Sequence, residues 1–245
     1  MTALSENFKV TSDCSKVVPD VRDRWFKLFG ALLVALLLGV PWLNPAQAQV
    51  PTAMVSAKKT AGTILVVGDS ISAEYGLKRG TGWVKLLEQQ LIREKKTAIV
   101  VNASISGETT SGGSSRLPAL LTQHQPTVVV IELGGNDALR GLPLDMTEKN
   151  LITMTQSSKK TGAKVLLLGM QVPPNYGDAY ATDFSSLFSR VAKAEKVALV
   201  PFLLKGIADA QDPVANFQAD RIHPNEPSQA RMLANVWPEL KKLLK

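Results

Sequence analysis

The chain predicts an α/β fold with a parallel sheet, and three observations carry that prediction. Five short apolar runs, near 63–68, 98–102, 127–132, 164–169 and 197–200, read as strands. Stretches of helical spacing separate them, the alternation expected of βαβ units. The first runs, such as Val128-Val129-Val130-Ile131, are continuously apolar rather than alternating, as strands covered on both faces must be.

The connecting segments carry helix stripes. Trp83, Leu86, Leu87, Gln90 and Leu91 recur at the 3–4 spacing of one helix face after the first strand. Leu117, Leu120 and Leu121 mark a second face, and Met232, Leu233, Val236, Leu240 and Leu243-Leu244 a closing helix. These stripes read as core. Pro173-Pro174-Asn175-Tyr176-Gly177-Asp178 reads as a surface loop.

The ends of the strands hold the chemistry. Thr63 to Gly68 runs straight into Asp69-Ser70, which sets a serine on a sharp turn at the carboxyl end of a buried strand. In an open parallel sheet that edge is where ligands bind. Serine needs a base, and the chain has two histidines. His124, in Gln123-His124-Gln125-Pro126, has no carboxylate nearby in sequence. His223 has Asp220 three residues before it, so Ser70, His223 and Asp220 supply the three parts of a serine-hydrolase relay.

Two other strand exits suit the charge that such an attack creates. Ala98 to Asn102 leads into Ala103-Ser104-Ile105-Ser106-Gly107, and Val128 to Glu132 leads into Leu133-Gly134-Gly135-Asn136-Asp137. Attack on an ester carbonyl builds negative charge on its oxygen, which calls for fixed N–H donors. A glycine amide at Gly107 and the side-chain amide of Asn136 fit that need. The loop after Asn136 carries Leu139 and Leu142, expected to line the acyl side of the site.

Four such blocks in this order resemble the SGNH or GDSL hydrolases. The resemblance rests on Gly68-Asp69-Ser70, Val101-Asn102-Ala103-Ser104-Ile105-Ser106-Gly107, Glu132-Leu133-Gly134-Gly135-Asn136-Asp137 and Ile222-His223-Pro224, and it covers roughly 63–244. It implies a three-layer, flavodoxin-like SGNH-hydrolase fold with a five-stranded parallel sheet. It also implies Ser70 as nucleophile, His223 as base, Asp220 as the carboxylate that orients it, and an oxyanion hole made by the Ser70 and Gly107 amides with the Asn136 side chain. Three positions depart from the family pattern. Ile71 replaces the leucine of the GDSL name, Arg221 stands where glycine is frequent, and Glu74 where a small residue is common.

The activity so implied is hydrolysis of carboxylic esters, among them lysophospholipid, aryl or short-to-medium acyl esters and thioesters, through an acyl-enzyme on Ser70. No metal or organic cofactor is expected. A two-metal phosphoesterase would draw on several histidines, more than this chain has, and a non-catalytic lipid-binding module would have no use for an intact relay. The Gly-x-Ser-x-Gly signature of the broader α/β-hydrolases is absent.

The first 48 residues read as a secretory signal. A polar leader with Arg22, Arg24 and Lys27 precedes an apolar run from Phe29 to Leu43, and Ala46-Gln47-Ala48 offers a small-x-small cleavage site before Gln49. The competing reading is an uncleaved anchor, but the run contains Pro41 and is shorter than the roughly 20 residues a spanning helix needs. The only cysteine, Cys14, precedes the apolar stretch, which disfavours a lipoprotein and leaves the exported part without a thiol. Residues 49–62 read as a flexible lead-in to a hydrolase domain over 63–245, expected in the periplasm or outside the cell.

The chain carries 28 Lys and Arg against 21 Asp and Glu, a formal charge of +7. These charges are scattered, without a basic stripe or interleaved aromatics, so nucleic acid is not an expected partner. The expected partner is a small acyl ester or lipid, met by a monomer that touches a membrane surface only transiently.

Overall fold

The computed structural model describes residues 62–244. The expected signal, cleavage site and lead-in, apart from Gly62, lie outside the described residues. Among the described residues five parallel strands form one sheet: β1 (Gly62–Gly68), β2 (Ala98–Asn102), β3 (Val128–Glu132), β4 (Lys164–Leu168) and β5 (Ala198–Val200), in the order β2-β1-β3-β4-β5. Each strand lies within one residue of its expected position; Gly62, assigned above to the lead-in, pairs with Ala98 as the first residue of β1.

Burial explains which strands sit inside. All five residues of β3 are buried, as are the last five of β1, whereas edge strands β2 and β5 are mostly half-buried. Side chains such as Ile64, Leu65, Val129 and Ile131 have essentially no exposure. Burial of one such side chain contributes about 1.5–3 kcal/mol.

Among the described residues six α-helices complete the fold: α1 (Trp83–Arg93), α2 (Thr110–His124), α3 (Gly135–Leu139), α4 (Leu144–Lys160), α5 (Asp178–Glu195) and α6 (Gln229–Leu243). The packing runs α1 on α6, and α2 on α4 on α5. The expected stripes are the buried faces: Trp83, Leu87 and Leu91 on α1, and Met232, Leu233, Val236 and Leu240 on α6. Phe184, Leu187, Phe188 and Val191 give α5 a buried face that the sequence reading did not single out. Among the described residues no helix is long and apolar enough to cross a membrane.

The strand order positions the site. The chain leaves β1 for β2 on one side, then crosses back over β1 to lay β3 on its other side. The exits of β1 and β3 therefore diverge, and loops from these strands open a crevice at the carboxyl edge. The exits of β1, β2 and β3 carry Ser70, Gly107 and Asn136.

Candidate active site

Ser70 lies in the first turn after β1, half-buried, and its turn is closed by local bonds. The Asp69 carboxylate accepts from the Ile71 N–H at 3.0 Å, while the Asp69 carbonyl accepts from the Ala73 N–H at 2.9 Å. His223 reaches it from 153 residues further on, with Nε2 at 2.9 Å from the Ser70 Oγ. On the other side of the ring, Nδ1 lies 2.7 Å from the Asp220 Oδ2.

The loop bearing the imidazole is built by Asp220 itself. Its Oδ1 accepts from the N–H groups of Ile222 at 2.9 Å and His223 at 3.0 Å, an Asx turn that also aims Oδ2 at the ring. Burial pushes the Asp220 carboxyl up, but those two N–H donors and the His223 ring outweigh it and bring it down to about 2. An ionised Asp220 requires a proton on Nδ1, so Nε2 is the acceptor and Ser70 donates to it. The turn also places Arg221 at φ 58°, a left-handed conformation that accounts for glycine being frequent there in the family it resembles.

Tyr75 was not anticipated. Its ring sits 4.4 Å from the His223 ring, tilted by 37°, and its carbonyl accepts from the Gln218 Nε2 at 2.8 Å. Glu74, the other departure, is also left-handed, at φ 61°. Its carboxylate accepts from the N–H groups of Gly80 and Gly82 at 2.9 and 2.8 Å, so it closes its own loop rather than facing the chemistry.

The groups expected to form an oxyanion hole, Ser70, Gly107 and Asn136, come from three strand exits and line one cavity. The amides of Ser70 and Gly107 have no acceptor among the described residues. Asn136 donates one Nδ2 hydrogen to the Asp69 Oδ2 at 3.0 Å, which leaves the second hydrogen of the same amide free. Gly134, at φ 119°, makes the turn from β3 into α3 that presents it.

Two residues outside the expected set hold these exits together. Arg140 donates from Nη2 to the Gly107 carbonyl at 2.8 Å, joining the β2 and β3 loops. Asp137 is fully buried and accepts from the Thr110 N–H at 2.8 Å and the Thr147 hydroxyl at 3.2 Å, which ties α2 and α4 to α3. Asp137 was visible only as a neighbour of Asn136; nothing in sequence spacing pairs it with Thr110 or Thr147.

A cavity of about 760 Å³ adjoins Ser70 and His223. Its apolar wall includes Met170, Val172, Phe202, Leu204, Val214 and Phe217, from the exits of β4 and β5 and the segment before Asp220. Leu139 lines it as expected. Leu142 does not: the Gly141 turn is closed by the Leu142 N–H on the Asp137 carbonyl at 2.9 Å, which leads the chain out of the cleft toward α4. The expectation missed this lining because its residues come from two other connections, the one after β4 and the long one after β5 that leads on to Asp220 and His223.

Residues 66–231 match the GDSL-like lipase/acylhydrolase family. The chain is similar to esterase TesA of Pseudomonas aeruginosa, 52% identical over 191 residues that cover 78% of this chain and 94% of that one. It is 43% identical over 169 residues to thioesterase 1/protease 1/lysophospholipase L1 of Escherichia coli K12, covering 69% of this chain and 78% of that protein. Among solved structures, a psychrotrophic esterase EstA from Pseudoalteromonas, inhibited by monoethylphosphonate, superposes with a TM-score of 0.70 at 39% identity, over 75% of this chain and 98% of its own. The matched residues 66–231 include all four sequence blocks, so this chain belongs to the GDSL-like lipase/acylhydrolase family and is a hydrolase of ester bonds.

Proposed function

We propose that the protein is an exported serine esterase that cleaves acyl esters through an acyl-enzyme on Ser70. The observation that carries this reading is the continuous contact from Asp220 through His223 to the Ser70 Oγ, opening on an apolar cleft. As the Ser70 Oγ attacks the carbonyl carbon, its proton passes to His223 Nε2, and Asp220 stabilises the imidazolium. The carbonyl oxygen becomes an anion within reach of the Ser70 and Gly107 amides and the free Asn136 N–H. Collapse breaks the bond to the leaving oxygen, which takes the proton from His223. Water then repeats the attack with His223 as base, releasing the acid and restoring Ser70.

On this mechanism Asn136→Ala lowers kcat by about 10²–10³ with a much smaller change in KM, because the lost donor matters most when the oxygen carries full charge. Steady-state kinetics on p-nitrophenyl butyrate measure it. A change confined to KM would recast Asn136 as a group that positions the substrate.

The apolar wall favours a hydrocarbon acyl chain. Each buried CH₂ is worth about 0.8 kcal/mol, so kcat/KM should climb about fourfold per carbon along a p-nitrophenyl ester series until the groove ends. Val214→Asp tests the wall directly: Val214 is 57% exposed, so the change spares the core, yet it sets a charge beside the chain. The octanoyl ester should suffer far more than the acetyl ester. Equal losses would assign the cleft to the alcohol side of the substrate.

The export reading rests on the apolar run from Phe29 and on Ala46-Gln47-Ala48. It places the start of the mature protein at Gln49, followed by a lead-in and one hydrolase domain acting as a monomer outside the cytoplasm. Intact-mass measurement of protein from the periplasm or medium should find residues 1–48 removed; a membrane-bound form that retains them would favour an anchor.

A further inference from the structure

Glu132 closes β3 in the middle of the sheet, opposite Gly68 of β1, and is completely buried. The mechanism above gives it no task, although a buried carboxyl group is costly unless it is satisfied. Its Oε2 accepts from the Ser72 hydroxyl at 2.7 Å and the Asp69 N–H at 3.2 Å, and the Ser72 oxygen in turn accepts from the Trp83 indole N–H at 3.1 Å. Its Oε1 is buried and receives no donor among the described residues.

The residue whose N–H rests on Oε2 brings a second carboxyl group with it. Asp69 is 2% exposed, and its N–H on the Glu132 Oε2 at 3.2 Å keeps the two acidic residues adjacent. Two adjacent carboxylates this deeply buried do not both carry a charge, so the pair holds a proton. The donors decide where it rests. Asp69 takes the Ile71 N–H and the Asn136 Nδ2 and feels the nearby His223 ring. Burial raises Asp69 to about 6, and burial followed by the Asp69 charge pushes Glu132 well above its ordinary value. A proton on Glu132 also gives the unpartnered oxygen a role, as a donor.

We propose that Glu132 is a positioning residue of the oxyanion site: held neutral, it donates its carboxylic O–H to the Asp69 carboxylate, and Asp69 so anchored fixes the Asn136 amide. A charged acceptor at Asp69 settles which way that amide points. One N–H lies on Asp69 and the other faces the substrate oxygen; with the anchor lost, the amide can rotate and present its own oxygen to the developing anion. The inference rests on the oxyanion role given to Asn136 above.

The test is a double-mutant cycle with a conservative rescue. Glu132→Gln keeps an acceptor for Ser72 and the Asp69 N–H and supplies an amide N–H for the Asp69 carboxylate, so kcat on p-nitrophenyl butyrate should stay within about threefold of wild type, the scale of one neutral hydrogen bond. Glu132→Leu removes both and should lower kcat by about 10–100-fold with little change in KM, a fraction of what an oxyanion donor supplies. In an Asn136→Ala background the same Glu132→Leu change should have almost no further effect on kcat, since its route runs through that amide. Asp69→Asn, nearly isosteric, stands in if Glu132→Leu does not fold: it sets an amide donor against the Asn136 donor and should cost kcat in the wild-type background alone. The proposal is overturned if Glu132→Gln loses as much as Glu132→Leu, or if the losses simply multiply with that of Asn136→Ala. Asn136→Ala alone reports on the underlying reading: an unchanged kcat there removes the oxyanion assignment, whereas a large loss with multiplying effects removes only the role of Glu132.

Discussion

Ser70→Ala should reduce kcat on any p-nitrophenyl ester by about 10⁴–10⁶, the scale seen when the nucleophile of a serine relay is removed. Ser70 carries the one hydroxyl bonded to the His223 ring among the described residues. Its Oγ is the atom that His223 Nε2 faces, and the serine nearest in sequence, Ser72, is buried with its hydroxyl committed to Glu132. Stability should hardly change: Ser70 is half-buried and its side chain bonds only to His223, so the loss belongs with surface substitutions, within about 0.5 kcal/mol. Purified variant and wild type are compared by ester hydrolysis, by thermal melting and by mass spectrometry after a short pulse of substrate. Wild type should gain the mass of the acyl group and the variant none. A variant that turns over at a tenth of the wild-type rate, or one that still acquires the acyl group, would remove Ser70 from the reaction.

The parts of the site that were legible in the sequence are those fixed by strand geometry. A residue just past an apolar run in a parallel sheet must emerge at the carboxyl edge, so Ser70, Gly107 and Asn136 could be placed together before any contact was known. Asp220 and His223 are three residues apart, and the Asx turn that couples them is local. What could not be read is whatever depends on packing between distant segments. The ring of Tyr75 against His223, Arg140 on the Gly107 carbonyl and Asp137 on Thr110 join residues whose separation carries no period. The lining of the cavity shows the same limit. Leu139 and Leu142 were neighbours of Asn136 in sequence, but a single turn at Gly141 separates them, and Val172, Phe202 and Val214 arrive from elsewhere. Departures from a family pattern were legible as positions but not as causes: Arg221 and Glu74 both prove to be left-handed residues in loops, one bordering the cleft and one closing a turn.

Asp220→Asn should lower kcat by about 10⁴ while leaving the loop in place. The asparagine oxygen can still accept from the Ile222 and His223 N–H groups, so the turn survives. Its amide, however, now offers a hydrogen to His223 Nδ1, where the wild-type carboxylate accepted one at 2.7 Å. The ring must then carry its proton on Nε2, and the Ser70 Oγ meets a donor where it needs an acceptor. Acid titration separates this role from a merely structural one. Because Asp220 is held at about 2 rather than at the ordinary 3.8, it stays ionised through mildly acidic solution, and a decline of wild-type activity between pH 7 and 5 belongs to other groups. A depressed acid stabilises the fold fully above its unfolded value, and that contribution drains away as pH falls from about 4 toward about 2. Wild type should therefore lose its stability advantage over Asp220→Asn within that window, while at pH 7 the variant is folded, binds substrate with a KM near wild type and turns over about 10⁴ times more slowly. A variant with near-normal kcat at pH 7 would show that His223 finds its tautomer without Asp220, and the carboxylate would be left with the Asx turn alone.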